Sequence, residues 1–224
     1  MKAGGEGDNA AEVARVRVKI CGVTNREDAL AAIALGADAL GFNLFPGSRR
    51  FIELDREAAW IRELPPFVMR VVVLVNVPLE EARCVAARPE IDRVQFHGDE
   101  DVEYCREFAK FGRPFVKALR LRDAASVEMA DSFSTLHVLL DAHASAAFGG
   151  TGTLIDLALA AECVRRHPAL RIILAGGLKP ENVGEAVRAV RPYAVDVASG
   201  TEVEGDPRRK SSGRMEQFFA AIRG

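Results

Sequence analysis

From about Val16 onward, the chain repeats one unit eight times: a short β-branched or Leu-rich run, then an Ala-, Glu- and Arg-rich stretch with helical spacing. The short runs are Val16–Cys21, Ala39–Leu44, Met69–Val75, Arg93–Phe96, Phe115–Ala118, His137–Asp141, Arg171–Ala175 and Ala194–Ala198. The helical stretches are Arg26–Leu35, Asp55–Glu63, Leu79–Ala87, Asp101–Phe111, Ala124–Ala130, Asp156–Arg166, Pro180–Val190 and Gly213–Ile222. Strands separated by helices pair in parallel, because the chain regains its direction only through a crossover. The pattern therefore predicts an α/β protein. Units of ~26 residues suit a single (β/α)8 TIM barrel of the smaller kind. A doubly wound open sheet, the structural rival, would usually show GxGxxG after its first strand. Here that strand ends in Cys21-Gly22-Val23-Thr24 instead.

Residues 1–14 are polar and lack apolar periodicity, so they read as a disordered leader ahead of a barrel domain over 15–224. Thr24 with Glu27 predicts a capping box, Pro180 a helix first turn, and Gly36 and Gly112 helix stops. The net charge of −2 gives no electrostatic reason to expect nucleic acid or a membrane surface as partner. Apolar runs such as Val71–Leu79 fall far short of the ~20 residues that span a bilayer. A cytoplasmic protein is expected. Cys21, Cys84, Cys105 and Cys163 are scattered without a CxxC pair, which suggests reduced thiols and neither a disulfide framework nor a zinc site.

Barrels of this kind work at the C-terminal ends of their strands. The first run ends at Cys21, the second leads into Ser48-Arg49-Arg50, the fourth ends at Gln95 and His97, and the sixth ends at Asp141. The last three lead into Gly149-Gly150-Thr151-Gly152, Gly176-Gly177 and Ser199-Gly200. Glycine lets backbone N–H groups approach an anion, and a helix N-terminus adds partial positive charge. Three such turns at these strands predict a phosphate site. His97 reads as a structural residue or pocket wall. Cys84, Cys105 and Cys163 read as fillers within helices.

These residues resemble the phosphoribosylanthranilate isomerase family of tryptophan biosynthesis. The resemblance starts at Lys19-Ile20-Cys21-Gly22-Val23-Thr24 and runs through Gly36–Phe42 and Phe45–Ile52. It continues through Val94–Glu100, where the family usually has Leu in place of Phe96, and through Leu139–Asp141 and Phe148–Gly152. Leu174–Val183 and Ala194–Gly200 complete the set, in order, from about Val16 to the C-terminus. The resemblance implies a (β/α)8 barrel with no cofactor and no metal, acting on a small phosphosugar. It implies an Amadori rearrangement with Asp141 as general acid and Cys21 as general base. Arg50 would pair with the anthranilate carboxylate, and Gly150, Gly177, Ser199 and Gly200 would hold the phosphate. The chain departs from the family after Gly200. Members more often have Val-Glu and then a Gly-x-Lys-Asp turn, whereas this chain reads Thr201-Glu202 and later Lys210-Ser211.

Each catalytic group has a pKa problem. An Asp that donates a proton needs an upward shift, which an apolar pocket would supply. A Cys that accepts one is mostly thiol at neutral pH. Alternate strand residues share a face, so Lys19 points the same way as Cys21. Lys19 is expected just below Cys21 inside the barrel, with Asp196 of the last strand beside it, favouring the thiolate. Two other readings stay open. One is a different phosphosugar aminoaldose–ketose isomerase on the same fold, although the fifth run offers no Asp in Lys117-Ala118-Leu119. The other is a barrel that binds a phosphate ligand without catalysis. A monomer is the default expectation, with a homodimer as the alternative.

Overall fold

The computed structural model describes residues 15–142 and 155–223; the expected leader over 1–14 lies outside them. Eight strands, β1 (Arg17–Cys21), β2 (Ala39–Asn43), β3 (Met69–Leu74), β4 (Arg93–Phe96), β5 (Phe115–Leu121), β6 (His137–Ala142), β7 (Arg171–Leu174) and β8 (Ala194–Val197), close in sequence order into one parallel barrel. β1 completes the ring by pairing with both β2 and β8. The helices are α1 (Arg26–Leu35), α2 (Leu54–Arg62), α3 (Leu79–Ala86), α4 (Val102–Ala109), α5 (Ala124–Glu128), α6 (Leu157–Arg166), α7 (Val183–Val190) and α8 (Ser212–Arg223).

Strand alternation builds two apolar layers. Val18, Ile20, Leu40, Phe42, Val72, Leu74, Val94, Phe96, Val138 and Leu140 join the large cluster with helix residues such as Ala29, Phe108 and Phe218. Val116, Ala118, Leu139, Ile173, Ala175 and Ala194 form a second, separate cluster. The first is the shell between sheet and helices; the second fills the lumen. Because Ile20 lies in the shell, Lys19 and Cys21 turn inward, as the alternation predicts. Among the described residues, no helix is long and apolar enough to cross a membrane.

The element ends depart from expectation where hydrogen bonding outweighs propensity. The N-cap of α1 is Asn25, not Thr24: its side chain accepts the Asp28 N–H at 2.9 Å, while Thr24 Oγ1 donates to the Arg208 carbonyl at 2.5 Å. Pro180 lies ahead of α7, in a turn where the Asn182 N–H bonds the Lys179 carbonyl at 3.1 Å. β5 runs three residues further than the pattern suggests, since Leu119, Arg120 and Leu121 pair with Leu140, Asp141 and Ala142. The tail of the fifth helical stretch is a 3-10 turn, Met129–Asp131. Gly36 does end α1, in left-handed conformation. After β8 comes a feature the pattern does not announce: a 3-10 turn, Ser199–Thr201, and a short antiparallel hairpin of β9 (Glu202–Val203) and β10 (Asp206–Lys210).

Candidate active site

Cys21 and Asp141 stand at the C-terminal ends of β1 and β6, on the inward face of their strands. In the closed order these strands lie three steps apart around an eight-strand ring, so the two groups approach the mouth from different sides.

A line of charge lies under Cys21. Lys19 and Asp196 are register partners across β1 and β8, and Lys19 Nζ lies 2.6 Å from Asp196 Oδ1 with both side chains buried. The neighbouring strand β2 makes room through Gly41: a Cβ there would lie 2.7 Å from Cys21 Sγ and 3.0 Å from Lys19 Nζ. The expected pair is therefore present, and Lys19 favours the thiolate as expected, but burial outweighs it. Burial pushes Cys21 up and Asp196 adds to this, while Lys19 and Lys210 pull it down without overcoming them. The resting side chain is a thiol. Burial works against the Lys19 ammonium, yet Asp196 beside it leaves its pKa raised.

Asp141 accepts hydrogen bonds at both carboxylate oxygens and lines a cavity shared with Ala118, Leu119 and Phe133. Its Oδ1 accepts the Ala142 N–H at 2.9 Å, and its Oδ2 lies 3.1 Å from His97 Nε2. Gln95 Nε2 lies 2.8 Å from His97 Nδ1. With the Gln95 amide donating to Nδ1, the ring proton sits on Nε2 and points at Asp141. His97 thus touches the candidate acid directly, a closer role than pocket wall. The signal was its place at the end of β4, two residues beyond Gln95 on the same face. A cavity of about 490 Å³ opens beside it, lined in part by His97, Arg120, Arg122, Ser126 and Asp141.

Arg50 is buried, and Glu202 grips it through two hydrogen bonds, Nε to Oε1 at 2.5 Å and Nη2 to Oε2 at 3.0 Å. Lys210 Nζ reaches the same Glu202 Oε1 at 3.1 Å. Despite burial, these two cations hold the Glu202 carboxyl below its ordinary range. Sequence reasoning noted Glu202 and Lys210 only as departures from the family and did not link them to Arg50, because 152 residues separate Arg50 from Glu202. Gly177 lies in the turn after β7, where Asn182 Nδ2 donates to its carbonyl at 3.0 Å. Ser199 and Gly200 open the 3-10 turn after β8, so their N–H groups stand at a helical N-terminus. Gly150 and the rest of Gly149–Gly152 lie outside the described residues.

Fold and site together define a class, the (β/α)8-barrel enzymes with acid and base candidates at the C-terminal mouth and glycine turns on the last strands. The profile of the N-(5'phosphoribosyl)anthranilate (PRA) isomerase family matches residues 18–221. The N-(5'-phosphoribosyl)anthranilate isomerase of Geobacter metallireducens is 44% identical over 204 residues, 91% of this chain and 97% of that protein. The crystal structure of the Thermus thermophilus phosphoribosyl anthranilate isomerase superposes with a TM-score of 0.82 at 41% identity, covering 93% of this chain and 98% of the other. Another solved isomerase, in complex with reduced 1-(o-carboxyphenylamino)-1-deoxyribulose 5-phosphate, is 36% identical with a TM-score of 0.76, covering 93% and 99%. The chain belongs to the N-(5'-phosphoribosyl)anthranilate isomerase family. Of the three functional readings the sequence left open, this assignment selects the first.

Proposed function

We propose that this barrel converts N-(5-phosphoribosyl)anthranilate to 1-(2-carboxyphenylamino)-1-deoxyribulose 5-phosphate in the cytoplasm, as an aldose–ketose isomerase of tryptophan biosynthesis. The observation that carries the roles is the placement of Cys21 and Asp141 on inward positions at the ends of β1 and β6. Asp141 gives its proton to the furanose ring oxygen, the C1′–O bond breaks, and a Schiff base forms. Cys21, in the molecules whose thiol has already given its proton to solvent, takes the proton from C2′ as thiolate, and the electron pair moves to make an enolamine. Protonation at C1′ and loss of the hydroxyl proton then give the ketone. Lys19 and Lys210 stabilise the thiolate when it forms; Asp196 and burial make it a strong base by keeping its pKa high.

Anchors at the two ends of the ligand fix the reacting carbons between base and acid. The amides of Gly177, Ser199 and Gly200, with Gly150, hold the phosphate, and Arg50 pairs with the anthranilate carboxylate. The working form is a monomer. The alternative is a homodimer, and sedimentation equilibrium separates the two. The test of function is turnover of freshly made phosphoribosylanthranilate, followed by loss of its fluorescence. Steady conversion to the ketose supports the proposal; a protein that binds the substrate without turnover would overturn it.

A further inference from the structure

We infer that Glu202 and Lys210, on the hairpin after β8, are positioning residues that preset Arg50 and make the site selective for a substrate carrying an aryl carboxylate. The inference rests on the reading of Arg50 as the carboxylate anchor and deepens it.

A guanidinium presents two donor forks. Glu202 occupies the fork made by Nε and Nη2. Among the described residues, Nη1 has no hydrogen-bond partner, so the fork formed by Nη1 and the second Nη2 proton is left for a ligand. Glu202 is therefore a splint and not a competitor: it uses one edge and fixes the direction of the other. A free Arg loses considerable rotamer freedom when it binds a carboxylate; one already held at its first fork loses less.

The splint is itself anchored. Lys210 is the register partner of Glu202 in the hairpin, and its Nζ donates to Glu202 Oε1 at 3.1 Å and to the Ala198 carbonyl at 3.0 Å. The Lys210 N–H donates to Asp28 Oδ2 at 2.6 Å, which ties the hairpin to the start of α1. Arg208 Nη1 donates to the Phe51 carbonyl at 2.8 Å, which ties it to the loop carrying Arg50. Gly22, next to Cys21, completes the contact. At φ 73 it presents no side chain to the Arg50 stem, where a Cβ would lie 2.3 Å from Cδ. The hairpin thus joins the base-bearing loop and the anchor-bearing loop into one unit. Charge agrees: with Lys210 protonated, two cations face one carboxylate, and the surplus positive charge matches one substrate carboxylate.

The test compares phosphoribosylanthranilate with its aniline analogue, which lacks the ortho-carboxylate, in wild type, Glu202→Gln, Lys210→Met and Arg50→Met, each checked for native circular dichroism. With phosphoribosylanthranilate, Glu202→Gln should raise KM by about tenfold or more with a smaller change in kcat, as a lost charge-assisted orientation predicts. Lys210→Met should raise KM more weakly and also lower kcat on both substrates, since it removes a cation that stabilises the Cys21 thiolate, and Glu202→Asp should recover part of the loss. With the aniline analogue, wild type and Glu202→Gln should agree within about twofold. Equal losses on both substrates in Glu202→Gln, with Arg50→Met still selective, would overturn the positioning role and leave the anchor intact. Equal losses on both substrates in Arg50→Met would overturn the anchor itself, and the inference with it.

Discussion

Cys21, the proposed base, is kept protonated at rest by its own surroundings. Burial and the Asp196 carboxylate raise its pKa, and the Lys19 ammonium bonded to Asp196 works against them. Removing that ammonium should therefore raise the thiol pKa further. In site-resolved alkylation mapped by mass spectrometry, Cys21 is expected to react slowly at neutral pH and faster as pH climbs past the ordinary thiol value of about 8.5. Lys19→Met should displace that rise to higher pH, and an unmoved midpoint would contradict the account. Mapping by site is needed because Cys84 is exposed and would react first. His97 has a separate role. Its bond to Asp141 Oδ2 would orient the proposed acid, so His97→Leu should lower kcat by about tenfold, the value of one orienting hydrogen bond, with KM little changed. An unchanged kcat would return His97 to the pocket wall. At this scale, strand alternation made Lys19, Cys21 and Asp196 legible, because face and register follow from a period of two. The link from Arg50 to Glu202 was not legible, because it depends on how far two long side chains reach across separate loops.

The elements were largely legible, because each strand–helix unit carries its own pattern. Their ends were less so. Thr24 and Asn25 both have cap chemistry, and tertiary contact decides between them: Thr24 is taken by the Arg208 carbonyl, which leaves the helix to Asn25. Asn25→Ala should therefore cost about 1 kcal/mol of stability in urea unfolding, the usual cost of a lost N-cap. Thr24→Val should cost less stability and act on the hairpin instead. The reverse order would restore the capping box at Thr24. The hairpin itself was hidden because Asp206-Pro207-Arg208-Arg209-Lys210 has no alternating apolar residues; its strand character comes from its ladder to β9 and its anchors on Asp28 and Phe51.

The whole barrel has opposite ends with opposite tasks. The proposed chemistry lies at the C-terminal mouth. At the N-terminal end, His137 begins β6, where burial and then Arg93 and Arg171 push its pKa down to about 4. The unfolded chain takes up that proton near the ordinary value of about 6.5, well before the folded protein does. The resulting stability is full above that value and is lost as pH falls toward 4. His137→Gln should make the acid loss shallower by about 1–2 kcal/mol, discounted for partial exposure, in urea titrations at neutral and acid pH. Identical losses would contradict this. The fold needed only the eightfold pattern, whereas the function needed the order of motifs along it. The central claim is that Cys21 takes the C2′ proton while Asp141 supplies one to the ring oxygen. Its most direct test is single-turnover conversion of C2′-deuterated phosphoribosylanthranilate by wild type, Cys21→Ala and Asp141→Asn. The account predicts a primary isotope effect in wild type and a rate loss of about 10²–10⁴-fold in each variant; wild-type turnover by either variant would contradict it.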